Sequence, residues 1–236
     1  MVVLGVDTAT PDAVVGVSRS GEVLREARVP PGTDGRPNHA RFLLPEIERS
    51  VEAAGGWDCV ERIAVGIGPG SFTGLRIGIS TARALAQARG TPIAPVGSLA
   101  SLARGIVRDG DATEGVVLPV IDARRGEVFA ALFDGDATEI WEPLVTPPAE
   151  LGARLRELGK PCLAAGDGAL RFAAELEAAG VMVAPPGDPI HHLTARDVCA
   201  GGEAASEAPP DQIQPLYLRP PDAKRWIERD RSAPGG

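Results

Sequence analysis

The stretch "GIGPGSFTGLRIGISTARALA", residues 66–86, sets a glycine-rich turn at the mouth of an apolar helix. Many proteins seat a phosphate on exposed backbone N–H groups in this way. The phosphate loop G-x-x-x-x-G-K-[ST] does not fit, because the glycines fall at 68, 70 and 74 and no lysine follows any of them. The dinucleotide form G-x-G-x-x-G fails too, since Ser71 and Thr73 stand where its third glycine is required. The plainer reading is a tight turn shaped by Gly68, Pro69 and Gly70, with Ser71 or Thr73 capping the helix that follows.

That helix carries a continuous stripe of Leu75, Gly78, Ile79, Ala82, Leu85 and Ala86. Gly78, Ala82 and Ala86 put small residues four apart, so another backbone can approach closely. The opposite side still offers Ile77, Ala84 and Ala88. A helix apolar nearly all round has to be covered on both sides, one by its own sheet and the other by a neighbour. Residues 39–54 form a second helical pattern, with Leu43, Leu44, Ile47 and Val51 on one stripe. Two readings stand: the two helices pack together inside the chain, or their stripes meet a partner.

Outward from this segment, strand-like runs at 2–7, 13–18 and 22–29 precede the 39–54 helix. A strand at 62–66, the helix at 72–88, a strand at 92–95 and a helix from Ser98 follow. The order is βββαβαβα. It recurs from Val116: strands at 116–122, 127–133 and 139–145, a helix at 149–158, a strand at 161–165, a helix at 169–179, a strand at 181–184 and a helix at 194–200. Two copies of one mixed α/β unit, each with an antiparallel three-strand start, predict duplicated ribonuclease-H-like domains. The expected division is residues 1–103, residues 104–218 and a flexible tail over 219–236. A charged, glycine-containing linker at 104–115 joins the halves.

The 236 residues are 44% hydrophobic and 24% charged, an ordinary globular composition. No run approaches the apolar length of a membrane span, and no leader is visible at residues 1–7, so a cytoplasmic protein is expected. Cys59, Cys162 and Cys199 are scattered and odd in number, which fits small hydrophobes in a reducing compartment. Residues 1–103 hold ten Lys/Arg and ten Asp/Glu, so the whole net charge of −8 falls on residues 104–236. A chain without a basic face is a poor candidate for gripping a nucleic acid unaided.

"VLGVDTAT" at 3–10, "HARFLLPEI" at 39–47, the 66–86 stretch, "VGSLASLA" at 96–103 and "DARRGEVFAALF" at 122–133 together resemble the TsaB family. The likeness runs through both halves in register, and "GPGSFTGLR" is highly specific. It implies the duplicated fold of the actin, heat-shock-protein and sugar-kinase superfamily. It also implies a non-catalytic subunit of the bacterial tRNA threonylcarbamoyladenosine machinery. Such a subunit binds and activates its paralogue TsaD, which transfers threonylcarbamoyl to the adenosine beside the anticodon. The ATPase TsaE completes the assembly, tRNA is met only through the complex, and a homodimer in isolation is open. The resemblance assigns the joint with TsaD to the N-terminal-domain helices, hence to the stripes of Leu43, Leu44, Ile47, Val51, Leu75, Gly78, Ile79, Ala82, Leu85 and Ala86.

TsaD binds a metal through two histidines that match Ser98 and Leu102 here, and neither of these is a credible ligand. His39 is lone, and His191 and His192 are adjacent, so no metal site is expected. The likeness also marks a candidate vestigial nucleotide cleft. Asp7 and Thr8 end the first strand, Gly68 and Gly70 shape the turn, and Asp122 repeats Asp7 in the second half. Gly166 and Gly168 in "AAGDGA" lie where an adenosine would sit. Hydrolysis needs aligned water, metal and phosphate clamps together, and the phosphate-gripping hairpin is replaced by "TATPDAV". Asp7 and Asp122 then read more simply as turn caps at strand ends. No cofactor is expected, apart from ATP or ADP at the joint with TsaD. The competing reading is a weak ATPase or sugar-kinase-like phosphotransferase using Asp7 and Asp122.

Overall fold

The computed structural model describes residues 1–110 and 115–219. In the first half, β1 (Val2–Asp7), β2 (Ala13–Arg19) and β3 (Glu22–Val29) form an antiparallel start. Then come α1 (His39–Ala54), β4 (Arg62–Gly68), α2 (Phe72–Arg89), β5 (Ile93–Gly97) and α3 (Ser98–Asp109). β4 pairs with β1 and β5 with β4, both in parallel, giving the order β3-β2-β1-β4-β5. The second half repeats it with β6 (Val116–Arg124), β7 (Glu127–Phe133), β8 (Glu139–Thr146), α4 (Pro148–Leu158), β9 (Cys162–Ala165), α5 (Asp167–Arg171), α6 (Ala173–Glu177), β10 (Met182–Val183) and α7 (Ala195–Ala204). Its sheet order, β10-β9-β6-β7-β8, is the same topology. The duplicated α/β unit predicted from element order is present.

The predicted single helix at 169–179 is instead two short helices broken at Phe172. The glycine at 168 presses on the backbone of Ile121 and Asp122, while Ala179, just past α6, faces Gly152 of α4. One straight helix cannot meet both surfaces. The expected linker also differs, because residues 104–109 are the last turns of α3. Residues 111–114 of that linker lie outside the described residues. So does the expected flexible tail, apart from Arg219.

Side-chain alternation along the central strands decides what each sheet face carries. Leu4 and Val6 of β1 pack with Leu43, Ile47 and Val51 of α1 and with Leu75, Ile79, Ala82 and Ala86 of α2. Val3, on the other face, packs with Val198 and Cys199 of α7. Gly5 and Gly16 make that contact possible, since a Cβ on either would run into Cys199 or Ala195. In the second sheet, Leu118 and Val120 pack with Leu151 and Leu155 of α4. Val117, Ile121 and Phe129 pack with Leu99, Leu102, Ala103 and Ile106 of α3. The last helix of each half therefore covers the other half's sheet. Arg108 of α3 and Asp197 of α7 form an ion pair where the two exchanged helices meet.

This packing corrects the interface expectation. Leu43, Ile47, Val51, Leu75, Gly78, Ile79, Ala82 and Ala86 are all buried inside the chain, with Ala82 and Leu75 at 0% exposure. The small-residue ridge is where α2 meets its own domain, and a Cβ on Gly78 would strike the Thr8 hydroxyl. Of the ten residues, only Leu44 stays exposed, at 51%, and Leu85 is half-buried.

Candidate functional site

Two surfaces remain as candidates: the outward side of α2, and the cleft between the domains. α2 begins as the 66–86 stretch predicts. Ser71 is its N-cap, its hydroxyl accepting from the Gly74 N–H at 3.2 Å. Beyond the buried ridge the helix shows solvent Phe72, Arg76, Ser80, Ala84 and Ala88, with Ile77 half-buried. Ala84 and Ala88 are small and apolar, and the side they occupy is uncovered by the chain.

The cleft encloses about 610 Å³. One wall is Gly70 to Thr73 at the start of α2, and the other is the β6–β7 hairpin, Asp122 to Arg125, with Asp167 beside it. Leu216 to Arg219 close a third side. Of the seven residues expected in a vestigial nucleotide cleft, only Gly70 and Asp122 line this space. Asp7 and Thr8 are 1% and 0% exposed. The Thr8 hydroxyl donates to the Gly74 carbonyl at 2.8 Å. Gly68 donates its N–H to the Ser98 hydroxyl at 3.2 Å. Gly166 and Gly168 are pressed against Val120 and Ile121 of β6, and Gly166 also holds a φ of 122°, so packing and backbone geometry account for these glycines.

The two carboxylates at the strand ends do the same structural work. Asp7 accepts the Ala9 N–H at 2.7 Å and Asp122 the Arg124 N–H at 2.8 Å, each two residues on, which is the Asx turn. Asp7 also accepts the Ser98 hydroxyl at 2.7 Å. Ser98, where the resemblance looked for a metal-ligating histidine, is thus committed to Asp7, and Leu102 to the core of the second domain. Asp122 is ion-paired with Arg171 at 2.7 Å and with Arg124 at 3.1 Å. Two guanidiniums share the one Asp122 carboxylate, so both strand-end acids are engaged in contacts within the chain.

Burial pushes the Asp7 carboxyl up to about 6, against the lowering effect of its hydrogen bonds. The sign follows from linkage. The folded chain holds the Asp7 proton more tightly than the unfolded chain, so this group's contribution to stability falls as pH rises from about 4 to about 6. Asp7→Asn is expected to flatten that part of the stability–pH curve, checked by thermal melts of both proteins across the interval. A parent-like slope in the variant would remove Asp7 as its source.

Burial likewise raises Asp167, with the neighbouring Asp122 charge adding to it, while Asp167 accepts the Asp122 N–H at 3.0 Å. The histidines serve the interior. His39 donates to the Pro11 carbonyl at 3.2 Å, and burial lowers its pKa. His191 accepts the Gly166 N–H on Nδ1 at 3.1 Å and donates from Nε2 to Ala184 at 3.0 Å. Residues that sequence reasoning missed at the cleft are Asp167, Phe72, Tyr217 and Arg219. Asp167 lay in view within "AAGDGA", whereas Tyr217 and Arg219 sit in a proline-rich stretch without periodicity.

Comparison with known proteins bears on this geometry. The family described as "TsaD: tRNA N6-adenosine threonylcarbamoyltransferase" matches residues 31–161, more than half the chain. The Escherichia coli "tRNA threonylcarbamoyladenosine biosynthesis protein TsaB" is 33% identical over 173 residues, spanning 71% of this chain and 72% of that one. "YeaZ from Pseudomonas aeruginosa" superposes with a TM-score of 0.74 at 26% identity, over 92% of this chain and 100% of that one. The ROK hexokinase of Thermus thermophilus, at 15% identity and a TM-score of 0.52 over 86% and 99% of the two chains, shares the fold alone. With this duplicated architecture and these relatives, the chain belongs to the TsaB family.

Proposed function

We propose that the chain serves tRNA threonylcarbamoyladenosine biosynthesis as a non-catalytic subunit that binds and activates a TsaD-type transferase. Its relatives named for that biosynthesis support the pathway. The observation that carries the subunit role is the outward side of α2, where Ala84 and Ala88 stand apolar and exposed beside the half-buried Ile77, on a helix whose other side is buried. The internal use of Asp7 and Asp122 supports the non-catalytic part. TsaE joins the assembly, tRNA is met through the complex, and the same face serves a homodimer when TsaD is absent. ATP or ADP belongs at the joint with TsaD, and the chain carries no cofactor of its own. Among the described residues, no helix is long and apolar enough to cross a membrane.

Co-purification with TsaD tests the reading directly. Ala84→Arg is exposed in the free chain, so it leaves the melting temperature within a degree or two of the parent. In the complex it sets an unpaired charge in an apolar contact, at a cost of several kcal/mol, so affinity for TsaD falls about 100-fold or more. Size exclusion with TsaD reads the loss, and undiminished binding by Ala84→Arg would sink the assignment of this face. The purified chain with ATP and magnesium tests the competing reading, which turnover abolished in Asp7→Ala would favour.

A further inference from the structure

The segment after α7 crosses from one domain to the other within a few residues. It first adheres to the first sheet: the Ala208 N–H donates to Ile93 at 3.0 Å, Ile213 is buried in the first core, and the Leu216 N–H donates to Ile67 at 2.8 Å. Tyr217 then stacks on Phe72 with ring centroids 5.0 Å apart. Its hydroxyl accepts from Arg76 Nε at 3.1 Å, while the Arg76 guanidinium lies 3.9 Å over the Phe72 ring. Leu218 packs into the core of the second domain. Arg219 donates to the Ala123 carbonyl at 3.0 Å and ion-pairs with Glu127, gripping both sides of the β6–β7 hairpin.

We propose that residues 208–219 are a strap that holds the two domains at a fixed opening and forms the movable wall of the cleft. Tyr217 is the fastening on the first domain and Arg219 the fastening on the second. The chemistry of the fastenings fits a releasable device. Tyr217 is 39% exposed and Phe72 41%, so the stack sits at the surface, within reach of water. By contrast, Ile213 at 1% anchors the root of the strap permanently. Between root and tip, the strap leaves the first domain at Tyr217 and reaches the second at Leu218, so opening the cleft pulls directly on Tyr217 and Arg219. Phe72 of α2 and Tyr217 of the strap both line the cleft, so the stack is part of its rim. A strap seated on that rim narrows the entrance, and a strap lifted from it widens the cleft to one continuous groove. This device is intramolecular and stands whether or not α2 is the docking face for TsaD.

The test uses the full chain with Cys59→Ser, leaving the buried Cys162 and Cys199 in place. Spin labels on Gln87→Cys in the first domain and Glu175→Cys in the second, both exposed, report the spacing of the domains by pulsed electron resonance. A single narrow distance distribution is expected for the parent. Tyr217→Ala with Arg219→Ala is expected to broaden or lengthen it, and amide exchange in residues 122–127 to quicken about tenfold as the hairpin loses its clamp. Tyr217→Phe keeps the stack and loses only the hydrogen bond from Arg76, so it falls between the two. Distances and exchange unchanged in the double variant overturn the proposal. Should the double variant unfold, Arg219→Gln alone decides: faster exchange confined to the hairpin supports the strap, and unaltered exchange overturns it.

Discussion

Ala82→Arg is expected to yield no cooperatively folded protein. Ala82 is 0% exposed where α2 lies on its own sheet, among Leu75, Ile79 and Ala86 and against the inward stripe of α1. An arginine there buries an unpaired charge and forces the helix off the sheet. Each effect costs several kcal/mol, against a total stability of roughly 5 to 15 kcal/mol for a domain. The soluble fraction on expression and a circular-dichroism melt check it, and a sharp transition near that of the parent would refute the packing described. Ala84→Arg, two residues on and roughly 200° around the helix, is the control, since it meets only solvent in the free chain.

The second large effect is expected at Gly74, in the first turns of α2. In an exposed helix, glycine to alanine gains about 1 kcal/mol. Here the sign reverses. A Cβ on Gly74 would overlap the Thr8 backbone carbonyl, with the His39 ring pressing from another side. The Thr8 hydroxyl already ties the end of β1 to the Gly74 carbonyl at 2.8 Å, so neither backbone can withdraw without breaking that bond. Gly74→Ala is expected to lose about 3 kcal/mol, the upper part of the range for overpacking. For a chain of this length, that lowers the melting temperature by roughly 6 to 12 °C. Calorimetry measures the shift, and a variant as stable as its parent would show that β1 and α2 can separate freely.

Much of the fold was legible because its signals are local. Turn glycines, β-branched runs and the 3.6-residue stripe of α2 give the same element order twice, and the order implies the topology. The Ser71 cap and the turn-capping use of Asp7 and Asp122 were equally readable, since each acts within three residues of itself. What periodicity does not encode is the identity of the covering surface. The Gly78, Ala82 and Ala86 ridge says that a backbone comes close, and that backbone proves to be the chain's own Thr8 and first sheet. The helices from Ser98 and at 194–200 likewise carry nothing in their sequence that names the sheet covering them, so their exchange between halves was invisible. Gly166 and Gly168 were assigned to the cleft by the family likeness, and a neighbouring strand asks of a glycine the same room that a ligand would. Arg219 and Tyr217 escaped because a strap has no repeat to read.

The exchange of α3 and α7 also bears on how the chain is made. Gly97 ends the first sheet, and α7, which covers one face of it, begins at Ala195. At about 5 to 20 residues per second, the ribosome spends roughly 5 to 20 s on the stretch between them. For that time the side of the nascent sheet carrying Val3, Ala64 and Val96 has no helix to lie against. The first half cannot mature as an independent unit while the second is being translated. Synthesis must instead bring out α7 before either half is finished, so the two halves are completed together.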